Sequence, residues 1–569
     1  MLDCAKQRGP CSMKPAPDPP PCPPPPPKPF PWIYVWAVLT FFSTMGLVYK
    51  LYLLKEARDN SVEKSLWRPR RKIKRPYHAA DLPACVQYLI VGTGAAGWAA
   101  YRAIREHDKT AKVFFVTKED IIPYRRPPMS KWMWWNYDPP DVKKLNYVDY
   151  EGRRRTMLEA ECVDFMDPVK FYRKKKGPAV SLASGWCVLR VDADDHIAYV
   201  RTMCGEQPIY YERCLLALGA KAKIPDMFKT APKSVRERVC ALRTVRDLEI
   251  AFSKLEISIV NQWDEREKTR QYVHIFKDKG LMSGFLPQYL GEWVAEKLNC
   301  QGVKLMPKTQ VYDAYNSKDG RLELTLSNGK SIVTDYAFIA LGAEPRDEIA
   351  EPSFLETDSE NGGFLVNTEL KARTHLYVAG DAASLYSQWK NQRMRMEHYN
   401  NAQEQGYIAG ANMTGYWIPC NMEPHFNIQL RDDLDIEVSY VMITLDCVIV
   451  GEVGACMPTI GLFKECAMEP YYFKDTEAAD GGEDRVCGEY EAKFKHGIVF
   501  YLREDIVVGL LFWNMSPRQE NRLEVATEIL RARPSYKDID LLAELLKFKE
   551  ADCVYRVSPD DKECISIKK

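Results

Sequence analysis

The chain has 569 residues, 46% of them hydrophobic, which is enough apolar surface for roughly three or four domains with cores of their own. Its 79 lysine and arginine residues nearly balance its 78 aspartate and glutamate residues, so net charge gives no basis for non-specific nucleic-acid binding. The 17 cysteines and 8 histidines are scattered without CxxC or metal-ligand spacing, which argues against a zinc module, any other metal site and a dithiol relay.

The N-terminal region carries a proline-rich, an apolar and a basic segment in that order. Residues 1–31 favour extended polyproline II and cannot build a core. The uncharged, aromatic-rich stretch Trp32–Tyr49 is long enough to cross a bilayer and predicts a transmembrane helix within residues 32–54, with a buried core helix as the alternative. The linker over residues 55–84 contains the basic run Trp67–His78, which suits a solvated linker or a segment attracted to anionic lipid.

The stretch Gln87–Ala100 (QYLIVGTGAAGWAA) joins an apolar strand to an alanine-rich helix start through a GxGxxG turn. In this pattern Gly92 permits the tight turn, Gly94 lets backbone amides approach a pyrophosphate, and Gly97 lets the helix pack on the strand. The phosphate then lies against free N–H groups at the positive end of the helix dipole. The motif predicts a dinucleotide site, the alternative being a glycine-rich structural turn.

The elements after this turn favour a dinucleotide-binding unit. A helix is predicted over Trp98–His107 and a second apolar strand over Lys112–Val116, with the acid Glu119 close behind, as in ribose-binding units. Far downstream, Leu376–Ala383 (LYVAGDAA) reads as a strand ending in Gly-Asp, from which Asp381 can reach a ribityl hydroxyl or a phosphate. Alone, this second motif is common and weak.

The C-terminal part is predicted to be rich in β-structure. Gly497–Trp513 places two apolar runs around a charged turn and is typical of a β-hairpin. Phe473–Lys493 is acidic and contains glycine, which predicts a mobile loop. An amphipathic helix is predicted over Ile539–Phe548, and a polar tail follows it.

Four markers occur in the order typical of flavoproteins in which an inserted NAD domain splits the FAD domain. They are the GxGxxG turn, the Gly-Asp strand, and the strand-to-glycine segments Cys214–Ala220 and Ala337–Pro345, which mark the two crossings between those domains. Within this architecture, PYRRPPMSK and MEHYN give the chain a specific resemblance to the apoptosis-inducing factor family of membrane-tethered mitochondrial FAD proteins that oxidise NADH. The matching segments are 86–131, 285–298, 362–386, 393–415 and 497–514.

The resemblance implies an α/β fold with two Rossmann-like dinucleotide-binding domains arranged as in glutathione reductase, the NAD domain being truncated. An α+β C-terminal domain and the N-terminal transmembrane helix complete it. FAD is the implied cofactor, and use of NADH is doubtful. The expected domains are a discontinuous FAD-binding domain (85–220 and 345–415), the truncated NAD-binding-like domain (221–344), a C-terminal dimerisation-like domain (416–550) with its acidic loop (473–493), and the tail (551–569).

Residue by residue, the resemblance implies a site around FAD. The three glycines of the GxGxxG turn match the family's pyrophosphate turn. Arg126 and Lys131 match cationic contacts to the FAD phosphates and isoalloxazine, since an arginine fork suits phosphate and a lysine stabilises negative charge on the reduced ring; a solvated basic loop is the alternative. Lys131 and His398 are the implied catalytic residues. The other implied cofactor contacts are Glu119, Lys223, Asp381, Glu397 and His398.

Three positions depart from the family pattern. The family's ribose-binding acid aligns with Lys118, so Glu119, one position along, is the candidate replacement. Lys223 stands where the family has an arginine, and Tyr399 stands where the family has a second histidine after His398. These changes indicate an altered flavin pocket rather than a lost one.

A second strand–GxGxxG–helix unit, expected near residues 257–285 to bind NADH, is not found. Ile257–Val260 is a candidate strand, but it runs into a polar segment, and the next strand, Tyr272–Phe276, follows almost at once. No glycine occurs between Gly219 and Gly280, so the backbone cannot approach a phosphate closely. The glutamate that the family pairs with its flavin-side lysine would lie on the missing helix. Either the chain has diverged to use NADH poorly, or its transcript lacks an exon.

These features predict a membrane-anchored FAD-dependent oxidoreductase that passes hydride from NADH, or another small electron donor, to FAD, with family roles in respiration and cell death. The alternative is a pseudo-enzyme in which FAD is structural and the C-terminal domain binds partners. The resemblance also implies a homodimer, a site at the mitochondrial inner membrane facing the intermembrane space, and association with nucleic acid. Arg173–Lys176 is a candidate basic patch for nucleic acid, although a solvated turn explains it better.

Overall fold

The computed structural model of the protein describes part of the chain. The transmembrane prediction over Trp32–Tyr49 and the basic linker fall outside the described residues, as does nearly all of the predicted acidic loop. Within the described part, no helix is long and apolar enough to cross a membrane. The described residues are 82–135, 144–149, 152–202, 205–251, 272–300, 303–387, 391–421, 425–430, 445–451, 453, 457–466, 492–515, 521–548, 551, 553–557 and 565–567.

Helices and strands are mixed in the first part of this chain, and strands dominate from residue 425 onward. The helices are α1 Ala95–His107, α2 Trp132–Trp135, α3 Pro168–Arg173, α4 Asp226–Lys229, α5 Lys233–Arg236, α6 Gln288–Cys300, α7 Tyr399–Met413, α8 Arg522–Ala532 and α9 Ile539–Leu545. The strands are β1 Cys85–Val91, β2 Lys112–Thr117, β3 Asn146–Val148, β4 Arg154–Thr156, β5 Ala179–Ser184, β6 Cys187–Asp192, β7 Ile197–Thr202, β8 Gly205–Leu216, β9 Ala220–Ala222, β10 Val239–Cys240, β11 Tyr272–Ile275, β12 Val303–Met306, β13 Val311–Asn316, β14 Leu322–Leu326, β15 Ser331–Thr334, β16 Ala337–Phe338, β17 Ala343–Pro345, β18 Phe364–Leu365, β19 Lys371–Arg373, β20 Leu376–Val378, β21 Ala383–Ser387, β22 Gln392–Arg395, β23 His425–Leu430, β24 Leu445–Gly451, β25 Thr459–Cys466, β26 Ala492–Arg503, β27 Ile506–Trp513, β28 Cys553–Val557 and β29 Ile565–Ile567.

The first sheet has the strand order β19-β20-β8-β1-β2-β5, and its strands from β20 to β5 are parallel. Its central strand β1 is buried on both faces, which explains the nearly continuous apolar run that opens the chain's first motif. On one face α1 crosses α7 with their backbones in contact. A Cβ added at Gly406 would lie 2.1 Å from Ala96 O, and one at Gly410 would lie 2.4 Å from Ala100 O. These two glycines therefore set how closely the helices approach.

The two predicted crossings between domains meet as one antiparallel pair, β9 with β17. Between them the chain forms the antiparallel meander β13-β14-β15 and the parallel pairs β10–β16 and β11–β12. Helix α6 connects β11 to β12, so part of a βαβ unit is present. The strand predicted over Tyr272–Phe276 is confirmed as β11, whereas Ile257–Val260 falls outside the described residues.

The C-terminal sheet is antiparallel and has the order β23-β24-β27-β26-β25-β28-β29. The predicted hairpin is confirmed as β26 and β27. Ile498 and Phe500 face a core shared with α8 and α9, while Val499 and Tyr501 face a second core shared with α6. Because both faces are buried there, the stretch Ile498–Leu502 of the hairpin is apolar at every position. The prediction of a polar tail after residue 550 is wrong: this segment forms β28, which pairs with β25, and β29, which pairs with β28.

Candidate functional site

The GxGxxG turn lies at the carboxyl end of β1, and its glycines serve different purposes. Gly92 has φ +108°, and a Cβ there would lie 2.2 Å from Ala217 O. A Cβ at Gly97 would lie 2.1 Å from Gly92 O. A Cβ at Gly94 would meet no protein atom within 4 Å. Gly92 and Gly97 are therefore required by backbone packing, whereas Gly94 faces open space.

That open space lies at the N-terminus of α1. Gly94 is the N-cap residue; its carbonyl accepts from the Trp98 amide at 2.9 Å, and no described side chain caps the helix. The first-turn N–H groups of a helix have no intrahelical partners, and the helix dipole adds positive potential there. The arrangement suits a phosphate group.

Glu119 and Arg126 form an ion pair beyond the end of β2. Arg126 Nη2 donates to Glu119 Oε1 at 2.7 Å, and the Tyr124 hydroxyl donates to Glu119 Oε2 at 2.6 Å. Burial, reinforced by the Glu119 carboxylate, raises the pKa of Tyr124, so its hydroxyl remains a donor at neutral pH. Both oxygens of Glu119 are thus engaged in orienting Arg126. A ribose contact, the role predicted for Glu119, would have to compete with these bonds.

Asp381, which follows β20, pairs with an arginine that the sequence analysis did not identify. Arg243 Nη2 donates to the Asp381 carboxylate, and the Arg243 carbonyl accepts from Arg126 Nη1. The Asp247 carboxylate accepts from the amides of Arg243 at 3.1 Å and Thr244 at 2.8 Å, which fixes the turn that carries Arg243. The contacts join two predicted cofactor residues, Arg126 and Asp381, through Arg243.

Lys131 follows a short 3-10 turn, and its ammonium donates to Ser130 Oγ at 3.2 Å. Burial lowers the pKa of Lys131. Within the described chain no carboxylate is paired with it. A partly desolvated cation of this kind suits negative charge on a ligand.

The pair Glu397-His398 lies at the N-terminus of α7. His398 is the N-cap residue, and its Nδ1 accepts from the Asn400 amide at 3.4 Å. The Glu397 carboxylate pairs with the Arg395 guanidinium, whose Nη1 also donates to the Asp381 carbonyl at 3.1 Å. Arg395 thus links the α7 N-terminus to the Gly-Asp turn after β20.

Tyr399 and Lys223 behave differently from their family counterparts. Tyr399 donates its hydroxyl to Glu159 Oε1 at 3.0 Å, and burial raises the pKa of Tyr399 to about 12. Glu159 also pairs with Arg125 at 3.0 Å. Tyr399 therefore ties α7 to a neighbouring loop. Lys223 is exposed, and its amide donates to Gly342 O at the crossing between domains, so the structure does not place its side chain among the residues described above.

The region that should hold a second nucleotide has an acid without a glycine turn. Asp278 follows β11, where dinucleotide-binding units carry a ribose-binding acid, and Ser283 Oγ donates to its carboxylate. Two of the three nearby glycines serve packing, whereas a Cβ at the third, Gly284, would meet nothing within 4 Å. A Cβ at Gly280 would lie 2.8 Å from Glu292 N, and one at Gly291 would lie 2.5 Å from Leu281 O. The position of Asp278 after a predicted strand was the signal by which it could have been found.

FAD fits the residues at the carboxyl edge of the first sheet. The open space at Gly94 would receive its pyrophosphate, and the Gly-Asp turn lies directly beside α1, since a Cβ at Gly380 would lie 3.1 Å from Ala96 Cβ. Arg126 and Arg243 supply positive charge beside Asp381. Open α/β sheets bind their ligands at this edge.

Comparison with known families agrees with this assignment. The model for the pyridine nucleotide-disulphide oxidoreductases matches residues 86–260 and 267–406. The model for the C-terminal domain of mitochondrion-associated apoptosis-inducing factor matches residues 409–532. The first match is interrupted at residues 261–266, within the region where the second glycine turn is missing.

Individual relatives lead to the same family. A putative mitochondrial apoptosis-inducing factor 1 of Drosophila melanogaster is 31% identical over 513 residues, which cover 83% of this chain and 67% of the relative. Apoptosis-inducing factor 1 of Dictyostelium discoideum is 27% identical, covering 82% of each chain. The covalent putidaredoxin reductase–putidaredoxin complex shares the fold with a TM-score of 0.59 at 17% identity, covering 81% of this chain and 98% of that chain. The protein therefore belongs to the pyridine nucleotide-disulphide oxidoreductase family, is similar over most of its length to apoptosis-inducing factors, and is an FAD-dependent NAD(P)H oxidoreductase.

Proposed function

We propose that this oxidoreductase oxidises NADH with bound FAD and is anchored to a mitochondrial membrane by residues 32–54. The observation that carries the enzymatic part is the open space at Gly94, flanked by the Gly-Asp turn. The names of the two apoptosis-inducing factor relatives support a mitochondrial location. The length and aromatic flanks of the apolar N-terminal segment support the anchor.

The chain's own residues bind and orient the cofactor. The α1 N-terminus would hold the pyrophosphate, Arg126 would contact a phosphate, and Asp381, its carboxylate oriented by Arg243, would accept from a ribityl hydroxyl. FAD, when bound, supplies the isoalloxazine ring that accepts hydride. Lys131 would place a cation near that ring, and His398 and Glu397 would border it.

The region expected to bind the electron donor NADH is where this chain differs from an ordinary NADH oxidase. Asp278 offers a carboxylate for a ribose, but no glycine lies between Gly219 and Gly280 to form a turn before it, so the nicotinamide nucleotide would bind without a close pyrophosphate contact. We therefore expect slow, weak use of NADH. The same observation favours a second candidate function, in which FAD is structural and the protein binds partners through its C-terminal domain.

Anaerobic titration of the full-length FAD-loaded protein with NADH distinguishes these functions. Loss of the visible flavin absorbance at low NADH supports the oxidoreductase, and an unresponsive yellow protein supports the partner-binding function. Lys131→Met should slow reduction while FAD stays bound, whereas Lys330→Met, on an exposed turn, should not. Flotation of the full chain with vesicles, compared with a chain that starts at residue 85, tests the anchor.

The family resemblance extends the proposal to partners. A homodimer would form through the C-terminal domain, and nucleic acid would contact the basic patch Arg173–Lys176 at the end of α3. Sedimentation tests the dimer. Charge reversal of the patch, with binding measured against salt concentration, tests the second contact, because phosphate contacts weaken steeply as salt rises.

A further inference from the structure

The C-terminal segment lies beyond the part of the chain that the family models match, yet it completes the C-terminal sheet. The second match ends at residue 532. Strand β28 pairs antiparallel with β25 in five registered pairs, from Phe463↔Cys553 to Thr459↔Val557. In the order β26-β25-β28-β29, strand β25 would be the edge of the sheet without this segment.

Strand β25 is apolar on both faces, so it would be prone to pair with other chains if it formed an exposed edge of the sheet. Ile460 and Leu462 belong to the core shared with α8 and α9, and Phe463 belongs to the core shared with α6. All three are at most 5% exposed. A long edge strand with apolar side chains on both faces presents a row of unpaired N–H and C=O groups, and such a row pairs readily with another extended chain.

Strand β28 is held by its backbone ladder and by two partly buried valines. Val554 packs against the core shared with α8 and α9, Val557 packs against the core shared with α6, and Arg556 is exposed. The connection from Phe548 to β28 consists of residues 549–552 alone. So short a tether gives the chain's own strand a high effective concentration, which favours it over a free strand of the same sequence.

We propose that the edge of β25 is a strand-binding site that the chain fills with its own β28 and that accepts β28 of a second copy when its own is displaced. The five pairs are the same in either case, because strand and edge have the same sequences in both copies. Reciprocal exchange between two copies gives a closed twofold dimer with no edge left open. The C-terminal segment thus acts as a built-in competitor that keeps the protein from pairing through this edge.

A labelled peptide of residues 551–569, kept reduced, tests the proposal. It is titrated into the FAD-loaded full-length chain and into an FAD-loaded chain that ends at Phe548. We expect the shortened chain to bind the peptide at least about 100-fold more tightly than the full-length chain. The matched control is the same peptide with Val554→Pro, which should not bind because proline removes a ladder hydrogen bond.

A second variant keeps the test decisive if the shortened chain fails to fold. Val554→Pro in the full-length chain retains every other residue and weakens the attachment of β28 through both the ladder and the Val554 side chain, so this variant should bind the unmodified peptide. Two differently tagged full-length copies, mixed, warmed and cooled, should form mixed dimers that copies without residues 549–569 do not form. Equal binding by the full-length chain, or no binding by either altered chain in its folded state, would overturn the proposal.

Discussion

Gly94→Ala and Gly97→Ala should affect different properties, although the two positions are only three residues apart: the first should weaken FAD binding, and the second should lower the stability of the protein. A methyl group at Gly94 enters open space, whereas at Gly97 it lies 2.1 Å from Gly92 O and 3.2 Å from Ile90 Cγ2. Gly94 has φ −70° and ψ −171°, which alanine adopts freely. The alanine methyl group should therefore obstruct bound FAD at position 94 and strain the folded backbone at position 97.

The magnitudes follow from these contacts. Without FAD, Gly94→Ala should change the free energy of unfolding by less than about 1 kcal/mol, because the lower entropy of the unfolded chain opposes the weaker N-cap preference of alanine. Gly97→Ala should lower it by about 1–3 kcal/mol through overpacking, after some offset from better helix propensity. With FAD, Gly94→Ala should raise the dissociation constant at least about 10-fold, or about 1.4 kcal/mol, because its methyl group occupies the pyrophosphate's approach.

Urea unfolding of the FAD-free proteins, followed by circular dichroism, measures the first pair of effects. Quenching of flavin fluorescence on binding measures the affinity. Wild-type FAD affinity in Gly94→Ala would refute the placement of the pyrophosphate at this turn. Wild-type stability in Gly97→Ala would show instead that the helix can move away from the strand at little cost.

Three further changes test other parts of the molecule. Arg243→Met removes the ion pair at the end of β20 and should weaken FAD binding about 10-fold or more, and Arg243→Lys should recover part of the loss in the same titration. Tyr399→Phe removes the hydroxyl that donates to Glu159 and accepts from Gln403, and it should lower the free energy of unfolding by about 0.5–1.5 kcal/mol in urea; no change would mean that these two bonds contribute nothing to stability. Burial and Arg213 lower the pKa of His375, so the unfolded chain binds more protons as the pH falls through the ordinary histidine value, and stability drops. His375→Gln should lose less stability than the wild type between about pH 7.5 and about pH 5.5, and an equal loss would contradict this account.

Features that depend on neighbouring residues could be predicted from the sequence. The turn at Gly92 needs a residue with positive φ next to an apolar strand, and the hairpin over Gly497–Trp513 needs apolar residues on both faces. Both requirements are visible in a short window. Arg243 could not be found in this way, because its partner Asp381 is 138 residues away and no motif surrounds it. Its role depends on two chain segments meeting in space.

Two other features show where local pattern is insufficient. The sequence places Glu119 at the end of β2, but it does not reveal that Arg126 and Tyr124 occupy both carboxylate oxygens. The segment Cys553–Val557 is short and partly polar, so its composition predicts a tail. It becomes a strand because β25 offers a row of backbone partners.

The second nucleotide-binding half keeps part of its fold without a glycine turn because its helix α6 is buried against the C-terminal sheet. Among the described strands β11 and β12 pair only with each other, and a two-stranded sheet is at best marginally stable alone. Helix α6 packs instead against the C-terminal sheet. There the rings of Trp293 and Trp513 meet edge to face at 5.7 Å, Leu290 is fully buried, and the Tyr501 hydroxyl donates to the Phe285 carbonyl. Loss of the turn therefore removes a phosphate site without removing the anchor of the helix, so impaired use of NADH is compatible with intact FAD binding and an intact C-terminal domain.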